Sequence, residues 1–186
     1  MIPKENSNII RKRRSVFPAE FNGNTIDKET ILEILKNANT APTHKLTQPW
    51  LFKVFSGKSK INLGDKLISI NLNLYNENKK KKIIQKFKVS SHIICICMRR
   101  DINKLIPEWE EVAATAMAVQ NIWLSCVNSN IGGYWSTPKG IDKLNTYLNL
   151  SKYEKCLGLF FLGKYDTLKE RILPRKNIEK DITWFE

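Results

Sequence analysis

Near the start of the sequence, two arginines are followed directly by a serine, as Arg13, Arg14 and Ser15. Guanidinium groups keep their charge at physiological pH and bind phosphate oxygens in pairs, and a serine hydroxyl adds one more hydrogen bond. The cluster therefore suits a phosphate monoester. Taken alone, the cluster is more typical of a basic helix end on the surface, and both interpretations stay open.

A second group of polar residues lies in the loop "APTHKLTQPWLFKVFSG", residues 41–57, which carries one of the two histidines of the chain. Pro49 and Trp50 are typical of a turn that leads into a strand. The other histidine, His92, starts an apolar strand and is interpreted as a core or strand-end residue.

Several common catalytic motifs are missing from the sequence. The glycines of "GKSKINLGDK" are too far apart for a Walker loop, no GxGxxG follows a strand, and there is no GxSxG elbow. The four cysteines lie in apolar contexts without metal-ligand spacing. They are interpreted as buried, reduced thiols, and no metal site is expected.

Composition sets the broad class of the protein. A chain of 186 residues, 42% of them hydrophobic, predicts a single domain over residues 1–186 with a substantial core. No apolar run reaches the roughly 20 residues of a membrane helix, so no membrane partner is expected. The N-terminus lacks a secretory signal, which predicts a cytoplasmic protein.

The net charge of +13 is compatible with binding either nucleic acid or small anions. The densest basic run, "NKKKK" at residues 78–82, has no interleaved aromatic residues. It is typical of a solvated face or loop more than of a nucleic-acid surface, and the site residues below imply no nucleic-acid partner.

Hydrophobic periodicity predicts the order of the elements. Helices are predicted over 27–38, 59–76, 80–88, 107–130 and 138–149, and strands over 50–56, 88–100 and 156–165. The pattern indicates an α+β fold with one mixed or antiparallel sheet. The helix 107–130 is apolar nearly all round, so it must be covered by its own sheet or by another subunit.

Four segments occur in the order and spacing typical of one family: "RRS", "APTHKLTQPWLFKVFSG", "IPEWEEVAATAMAVQNIWLSCVNSNIGGYWSTP" and "LGLFFLGKYD". Over residues 11–166 the chain resembles the FMN-dependent nitroreductases, in particular their YdjA-like small single-domain subgroup. The resemblance implies a nitroreductase-like fold and an intimate homodimer, with the long helix at the interface and two FMN molecules held between the subunits.

The resemblance also implies an activity. NADH or NADPH would pass a hydride to flavin N5 in a ping-pong cycle, and a nitroaromatic, quinone or similar small acceptor would then be reduced. The flavin carries this chemistry, so no side chain is assigned a catalytic role.

By position, the resemblance assigns eight residues to FMN binding: Arg13, Arg14, Ser15, Thr40, His44, Tyr134, Trp135 and Ser136. The two arginines and Ser15 would hold the phosphate and ribityl chain, and the other five would reach the ring. Leu46 departs from the family pattern, because an amide often stands there, and this leaves the redox potential open.

Alternatives remain at this point. The side chain of Lys45 is equally compatible with contact with the flavin ring and with exposure to solvent. Arg175 and Lys176 lie where the resemblance to the family becomes weak, so they are given no role. Two other functions stay open: a basic nucleic-acid-binding module, and a flavin-binding protein that senses redox state without turnover.

Overall fold

Among the residues that the structure describes, four strands form an antiparallel sheet at the centre of the protein. The computed structural model describes residues 2–168, 171 and 174–186. The strands are β1 (Trp50–Phe55), β2 (His92–Arg99), β3 (Ile131–Ser136) and β4 (Glu154–Lys164), in the order β1-β2-β4-β3. The central strands β2 and β4 are buried along most of their length. This confirms the α+β class and selects the antiparallel alternative.

The helices of the described residues are α1 (Lys4–Lys12), α2 (Lys28–Ala38), α3 (Gly57–Ile70), α4 (Glu77–Val89) and α5 (Glu108–Ser125). Helices α3 and α4 cover one face of the sheet and α2 and α5 cover the other, whereas α1 buries none of its residues. The side chain of Asp27 caps α2 by accepting a hydrogen bond from the amide of Thr30 at 2.7 Å. Asn76 caps α4 in the same way.

Each face of the sheet has its own core. Leu63 and Leu67 of α3 pack with Phe87 of α4 on one face. Ile34 of α2 packs with Val119 of α5 on the other face. Alternate residues of a strand therefore contact different helices.

The prediction of a helix over residues 138–149 is wrong. Only a short 3-10 turn forms there, at Ile141–Leu144. Gly140 has φ +70° and Asn149 has φ +49°, and these left-handed conformations interrupt a helix at both ends. The remaining residues of this stretch do not form an α-helix.

Two further differences concern the sheet and the long helix. The sequence pattern predicts three strands and does not predict β3, because its "IGGYWS" is short and carries two glycines of low strand propensity. The long helix α5 ends at Ser125, earlier than the predicted residue 130, and turns lead from it into β3.

A buried ion pair fixes the start of α5. Glu111 is 0% exposed and forms a salt bridge with Arg100, and its other carboxylate oxygen accepts a hydrogen bond from the amide of Asp101 at 2.8 Å. The Arg100 guanidinium also donates to the carbonyl of Ile106 at 2.6 Å. The pair therefore ties the end of β2 to the first turn of α5.

All four cysteines are free and buried, as the sequence predicts. Burial raises the pKa of the Cys126 thiol to about 12, so this thiol stays protonated at neutral pH. Within the described part of the chain, no helix combines the length and apolarity needed to cross a membrane.

Candidate functional site

The "RRS" segment lies between the end of α1 and the start of β3. The amide of Arg13 donates to the carbonyl of Ile9 and so closes the last turn of α1. Two residues after Arg14, the amide of Val16 donates to the carbonyl of Gly133 in β3 at 3.1 Å. These two hydrogen bonds hold the segment in an extended conformation across the edge of the sheet.

A small cavity opens directly over this segment. It has a volume of about 250 Å³ and is lined by Arg13, Arg14, Ser15, Phe17, Arg171 and Arg175. Four guanidinium groups thus come from two distant parts of the sequence to one place. We call this the arginine cavity.

Contacts with aromatic rings and with one carboxylate position these guanidinium groups. The Cζ atom of Arg13 lies 5.4 Å from the ring centroid of Trp123, and that of Arg171 lies 5.4 Å from the centroid of Phe17. Glu20 forms a 2.8 Å salt bridge with Arg171 and lies 3.9 Å from Arg14.

The arginine cavity carries an excess of positive charge. Partial burial, together with the neighbouring charge of Arg175, lowers the pKa of Arg13 below its ordinary value. Within the described ranges, no carboxylate forms a salt bridge with Arg13 or Arg175. This arrangement favours binding of an anion.

Arg171 and Arg175 are functional candidates that the sequence analysis does not assign. Arg175 lies where the resemblance fades, and no motif includes Arg171. The adjacent Lys176 does not line the arginine cavity, and its amine forms a 2.5 Å salt bridge with Asp181. The only signal in the sequence is the short spacing of the basic residues Arg171, Arg175 and Lys176.

A larger cavity, of about 570 Å³, lies between the sheet and the helices α3 and α4. Tyr134 and Ser136 of β3 both line it, because they are two residues apart and face the same side of the sheet. Tyr134 packs nearly parallel to Phe161 of β4, with ring centroids 5.9 Å apart. Lys86 of α4 also lines this space and was not identified from sequence. We call this the large cavity.

Phe17 lies beside both cavities. Its ring lines the arginine cavity, and its centroid lies 5.0 Å from that of Tyr134, which lines the large cavity. The predicted residues Arg13, Arg14 and Ser15 therefore line a cavity beside the one that Tyr134 and Ser136 line.

Trp135 points to the opposite face of the sheet, as strand alternation requires. It packs there with residues of the core formed by α2 and α5. Its indole Nε1 is buried and has no hydrogen-bond partner among the described residues. A Cβ atom on Gly158 would lie 2.1 Å from this nitrogen, so the indole packs closely over that glycine. The side chain of Trp135 does not line either cavity.

Gly132 and Gly133 are required for packing within the chain. In the structure, a Cβ atom on Gly132 would lie 2.5 Å from Cγ2 of Val16, and one on Gly133 would lie 2.2 Å from Cε1 of Phe160. Their lack of side chains lets the "RRS" segment and β4 pack against β3.

Thr40 and His44 lie beside α5, away from both cavities. The Thr40 hydroxyl donates to the carbonyl of Asn37 at 2.8 Å. Nδ1 of His44 lies 2.6 Å from Oε2 of Glu110 in the first turn of α5. Neither residue lines the arginine cavity or the large cavity.

The backbone after His44 is strained. Lys45, Leu46 and Gln48 have φ values of +49°, +53° and +41°, a region that residues other than glycine seldom adopt. Lys45 is exposed and Leu46 is 80% exposed, so this loop presents both side chains outward. Because Thr40, His44 and Trp135 line neither cavity, one chain alone does not assemble all eight predicted residues around one cavity.

The nitroreductase family matches residues 10–164 of the chain. The chain is 28% identical over 136 residues to a protein of Bacillus subtilis named "Putative NAD(P)H nitroreductase YfhC", covering 70% of this chain and 68% of the relative. It is 24% identical over 141 residues to "Putative NAD(P)H nitroreductase YdjA" of Escherichia coli, covering 73% and 75% of the two chains.

Solved structures show the same fold. The nitroreductase-like family protein from Bacillus cereus superposes with a TM-score of 0.81 at 25% identity, covering 100% of this chain and 98% of that protein. A protein from Desulfovibrio desulfuricans, described as "a putative nitroreductase in complex with fmn", superposes with a TM-score of 0.74 at 19% identity, covering 95% and 94%. The chain belongs to the nitroreductase family and is an oxidoreductase.

Proposed function

We propose that this protein is a homodimer that binds FMN and passes electrons from NADH or NADPH to a small organic acceptor. The observation that carries the proposal is the contact between Phe17, which lines the arginine cavity, and Tyr134, which lines the large cavity. One cavity suits a phosphate, and the adjoining one suits a planar ring system. FMN combines these two groups in one molecule.

The arginine cavity fits the phosphate of FMN by its donors. Arg13, Arg14 and Arg175 offer charged hydrogen-bond donors, and the hydroxyl of Ser15 adds one more. The guanidinium of Arg13 is already placed by Trp123, so little side-chain freedom is lost when an anion binds.

The large cavity fits the ring system of FMN. Its volume of about 570 Å³ lies within the range of small-molecule sites, and Tyr134, Phe161 and Phe87 provide aromatic surface. Ser136 offers a hydrogen bond, and the ammonium group of Lys86 would stabilise negative charge that develops on the ring after reduction. These residues exclude water from one side of the ring.

Bound FMN would supply the redox chemistry, taking a hydride from a nicotinamide nucleotide at N5 and reducing an acceptor such as a nitroaromatic or a quinone in the next half-reaction. The protein residues are then needed for binding, orientation and electrostatics.

The surface of α5 supports the dimer. Trp109, Ala113, Ala116 and Met117 follow the i, i+4, i+7, i+8 spacing of one helical face. Trp109 is 69% exposed and Met117 is 39% exposed, and the two alanines are half-buried. A contiguous apolar face on a surface helix is typical of a protein interface.

A dimer through this face would also account for the remaining predicted residues. The hydrogen bond between His44 and Glu110 places the loop with Thr40 and Leu46 next to the exposed face of α5. In a symmetric dimer, a loop beside the interface can reach a site in the other subunit. We therefore propose that Thr40 and His44 contact the flavin bound mainly by the other protomer.

The test begins with flavin binding. The purified protein, stripped of cofactor, is titrated with FMN and followed by visible absorption, then reduced anaerobically with NADH and with NADPH, and finally mixed with nitroaromatic and quinone acceptors. We expect FMN to bind, to be bleached by a nicotinamide nucleotide and to be reoxidised by an acceptor. Absence of FMN binding would overturn the proposal. FMN that binds but is bleached by neither nucleotide would instead indicate a flavin-binding protein without turnover.

A further inference from the structure

The large cavity has two chemically different ends. At one end Tyr134 contacts Phe17, beside the arginine cavity. From Tyr134, β3 continues away from the arginines, and at a rise of about 3.3 Å per residue Ser136 lies about 7 Å further along. Pro138 and Lys139 follow Ser136 and line the other end.

The distal end is closed by the chain that joins α3 to α4. The side-chain amide of Asn71, just after α3, donates to the carbonyl of Lys139 at 2.9 Å. From Asn71 the chain runs through Leu74, Tyr75 and Asn76 into α4, and these three residues also line the cavity. We call this part of the large cavity the lysine end, because it carries Lys79 and Lys139.

Positive charge at the lysine end is not balanced by carboxylates. The charged side chains that line the large cavity are lysines, and in the described part of the protein no carboxylate lines it. Among the described residues, neither Lys79 nor Lys139 forms a salt bridge with a carboxylate. The next residue along the helix, Lys80, is instead paired with Glu77 at 2.7 Å and does not line the cavity.

The lysine end also offers apolar and aromatic surface. Leu74, Tyr75 and Pro138 line it beside the two lysines. A ligand that complements both the positive charge and the apolar surface of this end has a flat apolar body and an anionic group. The phosphate of FMN does not meet this need, because it would occupy the arginine cavity at the opposite end.

We propose that the lysine end binds the anionic group of the electron acceptor, so that the protein prefers planar aromatic acceptors that carry a carboxylate or a sulfonate. This inference rests on the proposed function, since it takes the flavin ring to lie between the arginines and the lysines. Two acceptors that differ only in charge should then react with the reduced enzyme at different rates. A nicotinamide nucleotide is also anionic, so the test must separate the two half-reactions.

The experiment uses the FMN-loaded protein and two acceptors, 4-nitrobenzoate and its uncharged methyl ester. The enzyme is reduced anaerobically, and its reoxidation by each acceptor is followed by stopped-flow absorption. In Lys79→Met and Lys139→Met, we expect the rate constant for 4-nitrobenzoate to fall about two- to fivefold for each substitution, and the rate constant for the ester to stay unchanged. Added salt should slow the reaction of the anion with the original protein and have less effect on the double variant.

Two controls accompany these variants. Lys82→Met removes an exposed lysine of the same helix that does not line the cavity, and it should leave both acceptors unaffected. A binding measurement adds a readout without turnover: benzoate, which cannot be reduced, should perturb the absorption of the bound flavin, with a weaker Kd in the lysine variants. Reduction by NADH should proceed at the original rate in Lys82→Met.

The outcomes separate this inference from the function it rests on. Failure of the protein to bind FMN would overturn the proposed function and this inference together. FMN binding with equal effects of the lysine substitutions on acid and ester would overturn the inference alone. Substitutions that slow reduction by NADH and leave reoxidation unchanged would likewise overturn only the inference.

Discussion

The ring centroids of Phe17 and Tyr134 lie 5.0 Å apart, with an angle of 54° between the ring planes. Phe17 follows the "RRS" segment, and Tyr134 lies in the short strand β3, so the contact joins parts of the chain that are more than a hundred residues apart. The contact places the arginine cavity beside the large cavity. A ligand with a phosphate at one end and a planar ring at the other can span the contact.

Arg175 is expected to bind the phosphate of FMN. Replacing it in Arg175→Ala removes a hydrogen-bonded charge, worth about 1.5 to 3 kcal/mol, so the Kd for FMN should rise about tenfold or more. Riboflavin lacks the phosphate, and its affinity should not change. Lys176→Ala is the matched control, because Lys176 is paired with Asp181 and should affect neither ligand. An equal loss of FMN and riboflavin affinity would contradict the assignment.

The exposed face of α5 is expected to form the dimer interface. Met117→Glu places a charge on this face, and burying an unpaired charge is costly. We expect a monomer in analytical ultracentrifugation, together with loss of FMN binding if the second subunit completes the site. Leu32→Glu serves as the control, because Leu32 is an exposed apolar residue on the outer face of α2, and it should leave the oligomeric state unchanged. A variant of Met117 that sediments like the original protein would argue against this face.

The buried pair of Glu111 with Arg100 is expected to stabilise the fold. In Glu111→Ala the guanidinium loses its partner and remains largely buried, which should lower the free energy of unfolding by about 3 to 5 kcal/mol. Urea denaturation followed by tryptophan fluorescence measures this change. The exposed pair of Glu33 with Lys36 provides the comparison, and Glu33→Ala should cost no more than about 0.5 kcal/mol. Similar losses of unfolding free energy from both substitutions would show that the buried pair stabilises the fold no more than the exposed pair does.

His92 is expected to make stability depend on pH. Burial, and secondly the nearby charge of Lys60, lower the pKa of His92 below its ordinary value of 6.5. The unfolded chain therefore takes up a proton at a pH where the folded protein does not. Stability should be highest above pH 6.5 and should fall as the pH drops from 6.5 towards the lowered value.

The comparison of the original protein with His92→Gln isolates this effect. Unfolding free energies are measured in urea at several pH values, and the loss below pH 6.5 should be smaller in the variant. His44→Gln removes the other histidine and is the matched control. If the original protein and His92→Gln lose stability in parallel as the pH falls, His92 is not the responsible group.

Most helices and strands could be predicted from the sequence, because the residue patterns that indicate them span only a few positions. Asp27 begins a helix with regular apolar spacing, and the run from Ile93 to Met98 has the continuous apolar character of a central strand. The order of four recognisable segments was enough to indicate the nitroreductase family and to assign Arg13, Arg14 and Ser15 to a phosphate. These inferences need only the residue types and their spacing.

The assembly of the site depends on contacts between distant segments. Arg171 and Arg175 join Arg13 only after the C-terminal chain folds back over the "RRS" segment, and no spacing rule connects them. Within β3, Trp135 faces the opposite core from its neighbours Tyr134 and Ser136, although the sequence analysis assigned all three to one site.

The sequence by itself therefore determined most of the elements, though not β3 or the turns after it, and which family the chain resembles, because hydrophobic periodicity and short motifs act over a few residues. Only the tertiary structure decided that four arginines share one cavity, that two lysines close the far end of the next one, and that His44 lies beside α5. The physical reason is that these neighbours are set by the packing of helices on both faces of the sheet. That packing depends on the whole chain at once.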